Sequence, residues 1–327
     1  LIDLIARNFD QGTIITGLLF TGMVYLLSLI LSLPFSIYFT FEIEESFGFN
    51  KTTVKTFVLD LVKGLLLTIV IGVPLLAMLL WFFESTGEFA WLYSWGGLSL
   101  FTFVMQFLAP VLIMPLFNKF TPLEDGELKE KITTYAQEQD FALEGIYTMD
   151  GSKRSTRLNA FFTGFGRFRR IVFFDTLIEK LKDDEIVVVL AHEMGHFKRK
   201  HIPKMMITSL LQNGLMFFIL SLFLGNEALF AAFGMENISI YASLIFFLFL
   251  YAPISSLISI FFNIFSRKHE YEADTWAVET TELGQALVSG LKKLSVHNLS
   301  NLTPHPLNVF LNYSHPPVLE RIKKIER

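Results

Sequence analysis

Five stretches of this chain carry no Asp, Glu, Lys or Arg: Thr13 to Phe41, Gly64 to Phe83, Phe89 to Asn118, Met205 to Asn226, and Asn237 to Ser266. Each is as long as the helix of about 20 residues that crosses a bilayer's hydrocarbon core. Soluble core helices seldom stay free of charge over such a length, because one face meets water. The chain therefore reads as a mainly α, polytopic membrane protein. Its composition agrees, with 52% hydrophobic residues and 36 Phe. Pro34, Pro74, Pro110 and Pro253 fall inside these stretches, which membrane helices tolerate and which predict kinks.

The cations set an orientation. The loops Glu84 to Glu88 and Glu227 to Glu236 hold no Lys or Arg, whereas Glu42 to Lys63 holds Lys51, Lys55 and Lys63. Apart from Arg7, every other Lys and Arg lies between Lys119 and Lys204 or in the tail from Arg267. Cationic loops stay cytoplasmic, so Lys119 to Lys204 and the tail are expected in the cytosol. Alternating crossings give the same side for every loop. The domains expected are 1–118, three spans with a cytosolic loop, and 119–327, the domain that holds the segment "AHEMGH" and includes two further spans at about 205–226 and 237–266.

Within the second part, Pro122 to Asp140 and Asp183 to His201 read as helices. "GIYTM", "LNAFFTG" and "RRIVFFD" are β-branched and aromatic runs that read as a small sheet. The soluble portion is thus α+β. The chain has no cysteine, which excludes disulfides, thiolate metal sites and a thiol nucleophile. A net charge of −4 gives no basic character to suggest a nucleic-acid partner.

The segment "AHEMGH", Ala191 to His196, carries the chemistry. His192 and His196 are four apart, so on a helix they share a face and both imidazoles can reach one ion. Glu193 lies about 100° round the same helix, beside the ion, where a general base for water belongs. The apolar run "IVVVLA" buries the helix, and Gly195 leaves room for another backbone to pass. A hydrolytic zinc site needs a third protein ligand. "SRKHEYEADTWA" follows where the last span returns to the cytosol. Glu270 and Asp274 there share a face, so one can ligate while the other orients a histidine. Glu272 and His269 are expected to point off that face.

Several separated motifs resemble one family. "FEIEESFGFNKTT", "LNAFFTGFGRFRRIVFFDTLI", "LAHEMGHFKRKH", "SRKHEYEADTWA" and "NYSHPPVLERI" occur in the order seen in the type I CAAX prenyl proteases, integral-membrane zinc metalloproteases of the gluzincin kind. The resemblance covers essentially the whole chain. It implies a cytosolic zincin-like α+β metalloprotease domain on the membrane helices. It implies one zinc per chain, with His192, His196 and Glu270 as ligands, Glu193 as general base and Asp274 behind a ligand.

The resemblance also places Asn159 and Ala160 on a strand that pairs with substrate backbone. It brings His315 back to the active site as a donor to the oxyanion. The competing reading of His315 is a loop histidine fixed by Pro316 and Pro317. Arg321, six residues on, is expected to pair with an acidic neighbour. His201, His297 and His305 are left as structural or surface residues.

The partners implied are a peptide or protein substrate, prenylated or not, and the bilayer; oligomeric state is left open. The family has seven membrane helices and this chain shows five, so two are expected ahead of Leu1. The short loop Glu227 to Glu236 and the compact tail suggest a bacterial member in a cytoplasmic membrane, where membrane-protein quality control competes with C-terminal processing. An inactive scaffold on the same fold has no need of His192, Glu193, His196 and Glu270 together. A transporter would place ionisable residues in its spans, and these have none.

Overall fold

The computed structural model describes residues 1–164 and 169–327. Residues 165–168, which belong to the "LNAFFTGFGRFRRIVFFDTLI" motif, lie outside the described part. Among the described residues, five helices are long and apolar enough to cross a membrane: α1 (Thr13–Ser46), α2 (Val54–Ser85), α3 (Gly87–Phe117), α6 (His201–Phe223) and α7 (Ile240–Thr281). Each contains most or all of one charge-free stretch. The regular turns widen to π-type turns at Thr68–Gly72, before Pro74, and at Ala109–Ile113, around Pro110. A proline lacks the N–H and displaces the carbonyl four residues back, and a wide turn is one way to absorb that. Phe35, Val70, Leu100 and Leu211 stay exposed on these helices. In water each would cost about 25 cal/mol per Å² of apolar surface, which hydrocarbon removes.

The chain divides into two compact units. The first comprises Leu1–Ser46, Thr53–Met105 and Met206–Ser255. Its apolar centre gathers Phe20, Leu80, Phe230, Tyr241 and Phe246. The Tyr241 hydroxyl donates to Asp3 Oδ1 at 2.6 Å, and Asp3 also pairs with Arg7.

The second unit comprises Phe47–Thr52, Gln106–Met205 and Ser256–Arg327. It holds a four-stranded sheet of order β1-β2-β4-β3, from β1 (Phe120–Pro122), β2 (Gly145–Met149), β3 (Ala160–Thr163) and β4 (Arg170–Phe174). β2 and β4 run parallel and the other pairs antiparallel. Strands β2, β3 and β4 fall on the three runs read as sheet. β1 does not appear in the sequence reading, which runs a helix from Pro122. Three residues show no periodicity, and a proline is admissible here because β1 is an edge strand. The helix itself, α4, is shorter, at Glu127–Glu138.

Helix α5 (Asp183–Lys198) packs on this sheet. Asp183, Asp184 and Glu185 fill its first turn, where the helix dipole favours anions. The Glu185 carboxylate accepts the Lys182 backbone N–H at 2.7 Å. α5 ends at Lys198, short of His201, and Lys200, with a φ of 58°, breaks the helical path between them. Ile186, Val188, Leu190, Ala191 and Met194 are buried against Ile171 and Phe173 of the sheet, Leu287 and Leu291 of α8 (Gly284–His297), and Ile322 of α9 (Val318–Ile325). Apart from Ala191, each such side chain contributes roughly 1.5–3 kcal/mol by leaving water. α5 is thereby anchored on its apolar face, and its histidine face is left to the site.

Candidate active site

On α5, His192 and His196 bring their Nε2 atoms to 3.2 Å. Helix α7 supplies Glu270, whose Oε2 is 3.5 Å from His192 Nε2 and whose Oε1 is 3.3 Å from His196 Nε2. The two helices approach this closely because residue 195 is glycine: a Cβ there would lie 3.0 Å from Ala273 Cα. An ion about 2.0–2.1 Å from each donor of a tetrahedral site sets those donors about 3.3–3.4 Å apart. The two histidines and the glutamate therefore fit a metal ion, and among the described residues they form the His/Asp/Glu cluster suited to one.

The surroundings orient these donors. His192 Nδ1 lies 2.9 Å from Asp274 Oδ1, so the ring donates there and turns its Nε2 lone pair to the cluster. Arg321 forks onto the same carboxylate, from Nε to Oδ2 at 2.8 Å and from Nη2 to Oδ1 at 2.6 Å. Its 3.5 Å approach to His192 Nδ1 is then a contact between two donors, not a hydrogen bond. Arg321 Nη1 also stands 3.4 Å from Glu270 Oε2. The acidic neighbour expected for Arg321 is Asp274.

Burial opposes charge on the His192 ring, but hydrogen bonds to Asp274 and Glu270 outweigh it and lift it to about 9. A metal binding at neutral pH must therefore release a proton from this site. Burial raises Glu193, a shift that Glu270 reinforces and that positive charge on His192 and Arg321 opposes. A raised carboxylate moves towards the pH at which a general base works best.

Above the cluster lies a cavity of about 540 Å³, within the range of ligand sites. Its walls include Asn159, Ala160, His192, Glu193, Glu270, His315 and Arg321. His196 and Asp274 sit behind this surface. His315 is mostly exposed, with Nδ1 3.2 Å from Glu270 Oε1, so the HPP loop does reach the cluster. Among the described residues β3 pairs only with β4, which leaves its other edge open there. Phe174 N–H donates to Asn159 O, so Asn159 turns its backbone to β4 and the alternation of an antiparallel ladder turns that of Ala160 outward. The outward Ala160 N–H is held at 2.9 Å by the Asn159 side chain.

Two features escape sequence reasoning. Asn298, at the end of α8, clamps the residue before this edge: its Oδ1 accepts Leu158 N–H at 3.0 Å and its Nδ2 donates to Leu158 O at 3.3 Å. His201, left as structural or surface, is buried, with Nδ1 3.1 Å from His196 Nδ1. Glu272 does point off the cluster, but onto His201 at 2.9 Å. The third histidine of "HEMGHFKRKH" was the only available signal, and its spacing of five from His196 fits no helical face.

A largely buried His–His–Glu cluster on two helices, beside a cavity, in a chain with five candidate membrane helices, defines a multi-pass membrane metallopeptidase. The comparisons specify it further. Residues 122–327 match peptidase family M48, and residues 1–119 match the CAAX prenyl protease N-terminal region, described as five membrane helices. The chain belongs to the M48 peptidases of the CAAX prenyl protease kind. It is 40% identical to CAAX prenyl protease 1 homolog of Arabidopsis thaliana, over 97% of this chain and 74% of that protein. It is 38% identical to CAAX prenyl protease 1 of Saccharomyces cerevisiae, over 96% and 73%. The crystal structure of S. mikatae Ste24p matches with a TM-score of 0.92 at 37% identity, covering 97% of this chain and 77% of that one.

Two expectations are corrected. These relatives are eukaryotic and align across the short loop at Glu227 to Glu236, so that loop is no mark of a bacterial origin: its length reflects how two helices connect, not the organism. The expectation about the first two membrane helices gives way to what the match shows: the family's N-terminal membrane region is matched over residues 1–119, where three helices are long and apolar enough to cross a membrane. Counting charge-free stretches measures hydrophobic helices, not how much of a family region a chain contains.

Proposed function

We propose that this chain is a zinc endopeptidase that cuts membrane-associated peptides, CAAX-type C-termini among them, on the cytosolic side of the membrane. The observation that carries the reading is Glu193 beside the His192–His196–Glu270 donors on the wall of a cavity bounded by an open strand edge. The names of the relatives support the CAAX substrate. Two imidazoles and a carboxylate with no thiolate is a donor set used by catalytic zinc. The absence of Lys and Arg from the loops at 84–88 and 227–236 supports the orientation. The division at 118/119 separates three spans from the part that holds these residues.

Bound by His192, His196 and Glu270, zinc would polarise the scissile carbonyl and acidify water. Glu193 takes a proton from the attacking water and passes it to the leaving nitrogen as the C–N bond breaks, giving a carboxylate and an amine. Asp274 keeps His192 in the ligating tautomer, and Arg321 holds Asp274. His315, on its exposed loop, donates a hydrogen bond to the oxygen that becomes anionic. The peptide adds as a strand along β3. Its carbonyl takes the Ala160 N–H from the Asn159 side chain, which frees that amide to bond the peptide in turn.

Glu193→Gln tests this. The amide is nearly isosteric but cannot take the proton, so turnover should fall by roughly 10²–10⁴-fold while zinc content and peptide affinity stay. Cleavage near the wild-type rate would refute the base assignment. Loss of zinc would make Glu193 a ligand and reopen the assignment of Glu270. A scaffold without activity would show no chelator-sensitive cleavage in the wild type.

A further inference from the structure

The acidic side chains of the segment around Glu270 divide their tasks. Glu270 faces the cluster and Asp274 braces His192 directly. Glu272 is two residues from Glu270, about 200° round the helix, and cannot face His196 from there. A ring bridges the gap: His201 lies 2.9 Å from Glu272 Oε2 through Nε2 and 3.1 Å from His196 Nδ1 through Nδ1.

With both rings neutral, the form in which His196 can ligate, the hydrogen bonds admit one arrangement of protons. A carboxylate accepts only, so His201 donates from Nε2 and has a lone pair on Nδ1. That lone pair needs a donor, and the facing group is His196 Nδ1–H. His196 must then present a lone pair on Nε2, the atom 3.3 Å from Glu270 and 3.2 Å from His192. With the proton on His196 Nε2 instead, two lone pairs would face each other at 3.1 Å and an N–H would point where a cation is to sit. The bridge is held on another side as well: the His269 ring stacks on His201 with centroids 4.0 Å apart and planes at 11°. His201 is 1% exposed, so water offers no substitute acceptor.

We propose that Glu272 and the buried His201 form a relay that fixes the tautomer and orientation of His196 and so sets how tightly the chain holds its metal. Both are positioning residues; neither touches the cavity. The proposal rests on the metal reading above. His201 and Glu272 do for His196 what Asp274 does for His192, at one ring's greater reach. Partners behind metal-bound histidines are typically worth 10–100-fold in affinity.

The test uses the full chain in detergent, stripped by a chelator and titrated with zinc against a chromogenic competitor. Wild type should take about one zinc and Glu270→Gln should lose it; if wild type takes none, the metal reading fails and this proposal with it. His201→Phe keeps a ring against His269 but offers no acceptor, and should bind zinc about 10–100-fold more weakly. His201→Asn can place its amide oxygen near the position of Nδ1 and should recover most of the loss. Glu272→Leu should weaken zinc by about tenfold, and carries the same test should His201→Phe fail to fold. Unchanged melting of the metal-free variants separates positioning from loss of structure. A folded His201→Phe that binds zinc like the wild type, or a His201→Asn no better than His201→Phe, would overturn the relay.

Discussion

Gly195→Ala probes the seam between α5 and α7. The new methyl would lie 3.0 Å from Ala273 Cα, 3.1 Å from Ala273 O and 3.1 Å from Trp276 Cβ. Carbon contacts relax at about 3.5–4.0 Å, so the helices must part by about 0.5 Å. No rotamer change relieves this, because two of the atoms are backbone and the third is a Cβ. Overpacking costs about 1–3 kcal/mol, and the helix preference for Ala over Gly returns about 1 kcal/mol. The metal-free chain should therefore lose roughly 0–2 kcal/mol. The site should lose more. His192 and His196 flank the seam on one helix and Glu270 lies one turn before Ala273 on the other, while metal–ligand lengths tolerate about 0.2 Å. We expect zinc affinity to fall by about tenfold or more, or about 1.4 kcal/mol. Thermal unfolding with and without zinc, together with competitive zinc titration, measures both quantities. A variant that binds zinc like the wild type and melts no lower would refute the claim that this contact sets the ligand spacing.

Asn298→Ala removes both hydrogen bonds to Leu158 and should cost about 1–2 kcal/mol; if the open edge of β3 receives the peptide, KM rises while zinc content holds, and an unchanged KM would count against the edge. Burial opposes charge on Glu185, but hydrogen bonds from Lys293, Ser289 and the Lys182 N–H together hold its carboxyl below the ordinary value of 4.5. The stability this supplies is complete above pH 4.5 and disappears as pH falls through the folded-state value. Glu185→Gln should therefore lose about 2 kcal/mol at pH 7 and flatten the acid limb, which unfolding at a series of pH values would show. A single cysteine at Gly126, in a chain with none of its own, should label from the cytosolic side; labelling only from outside intact cells would invert the orientation.

The spans were legible because twenty residues without a charge leave a soluble fold few options. The approach of His192 to His196 was legible because a spacing of four fixes a helical face whatever surrounds it. Glu270 and Asp274 obey the same rule on α7, and they are found on the two sides of His192. His201 follows no such rule. A left-handed residue, Lys200, separates α5 from the helix that starts at His201, so distance along the chain no longer reports direction. Asn298 is harder still: its partner Leu158 is far away in sequence, and an Asn at a helix end looks like any cap. β1 was too short to show a period. The supposed bacterial origin came from loop length, which carries connection geometry and nothing more.

One consequence of the donors' places in the chain belongs to polymer physics. His196 and Glu270 are separated by roughly seventy residues, and an ion gripping both ties off that whole stretch, which contains all of α6 and the charge-free part of α7. Closing a loop of this size with a covalent link removes about 4 kcal/mol of entropy from the unfolded chain. An ion would act as the same kind of knot, opened by a chelator instead of a reductant. Stripping the metal should then loosen the helical pair enclosed by the loop, and hydrogen exchange along α6 would register it.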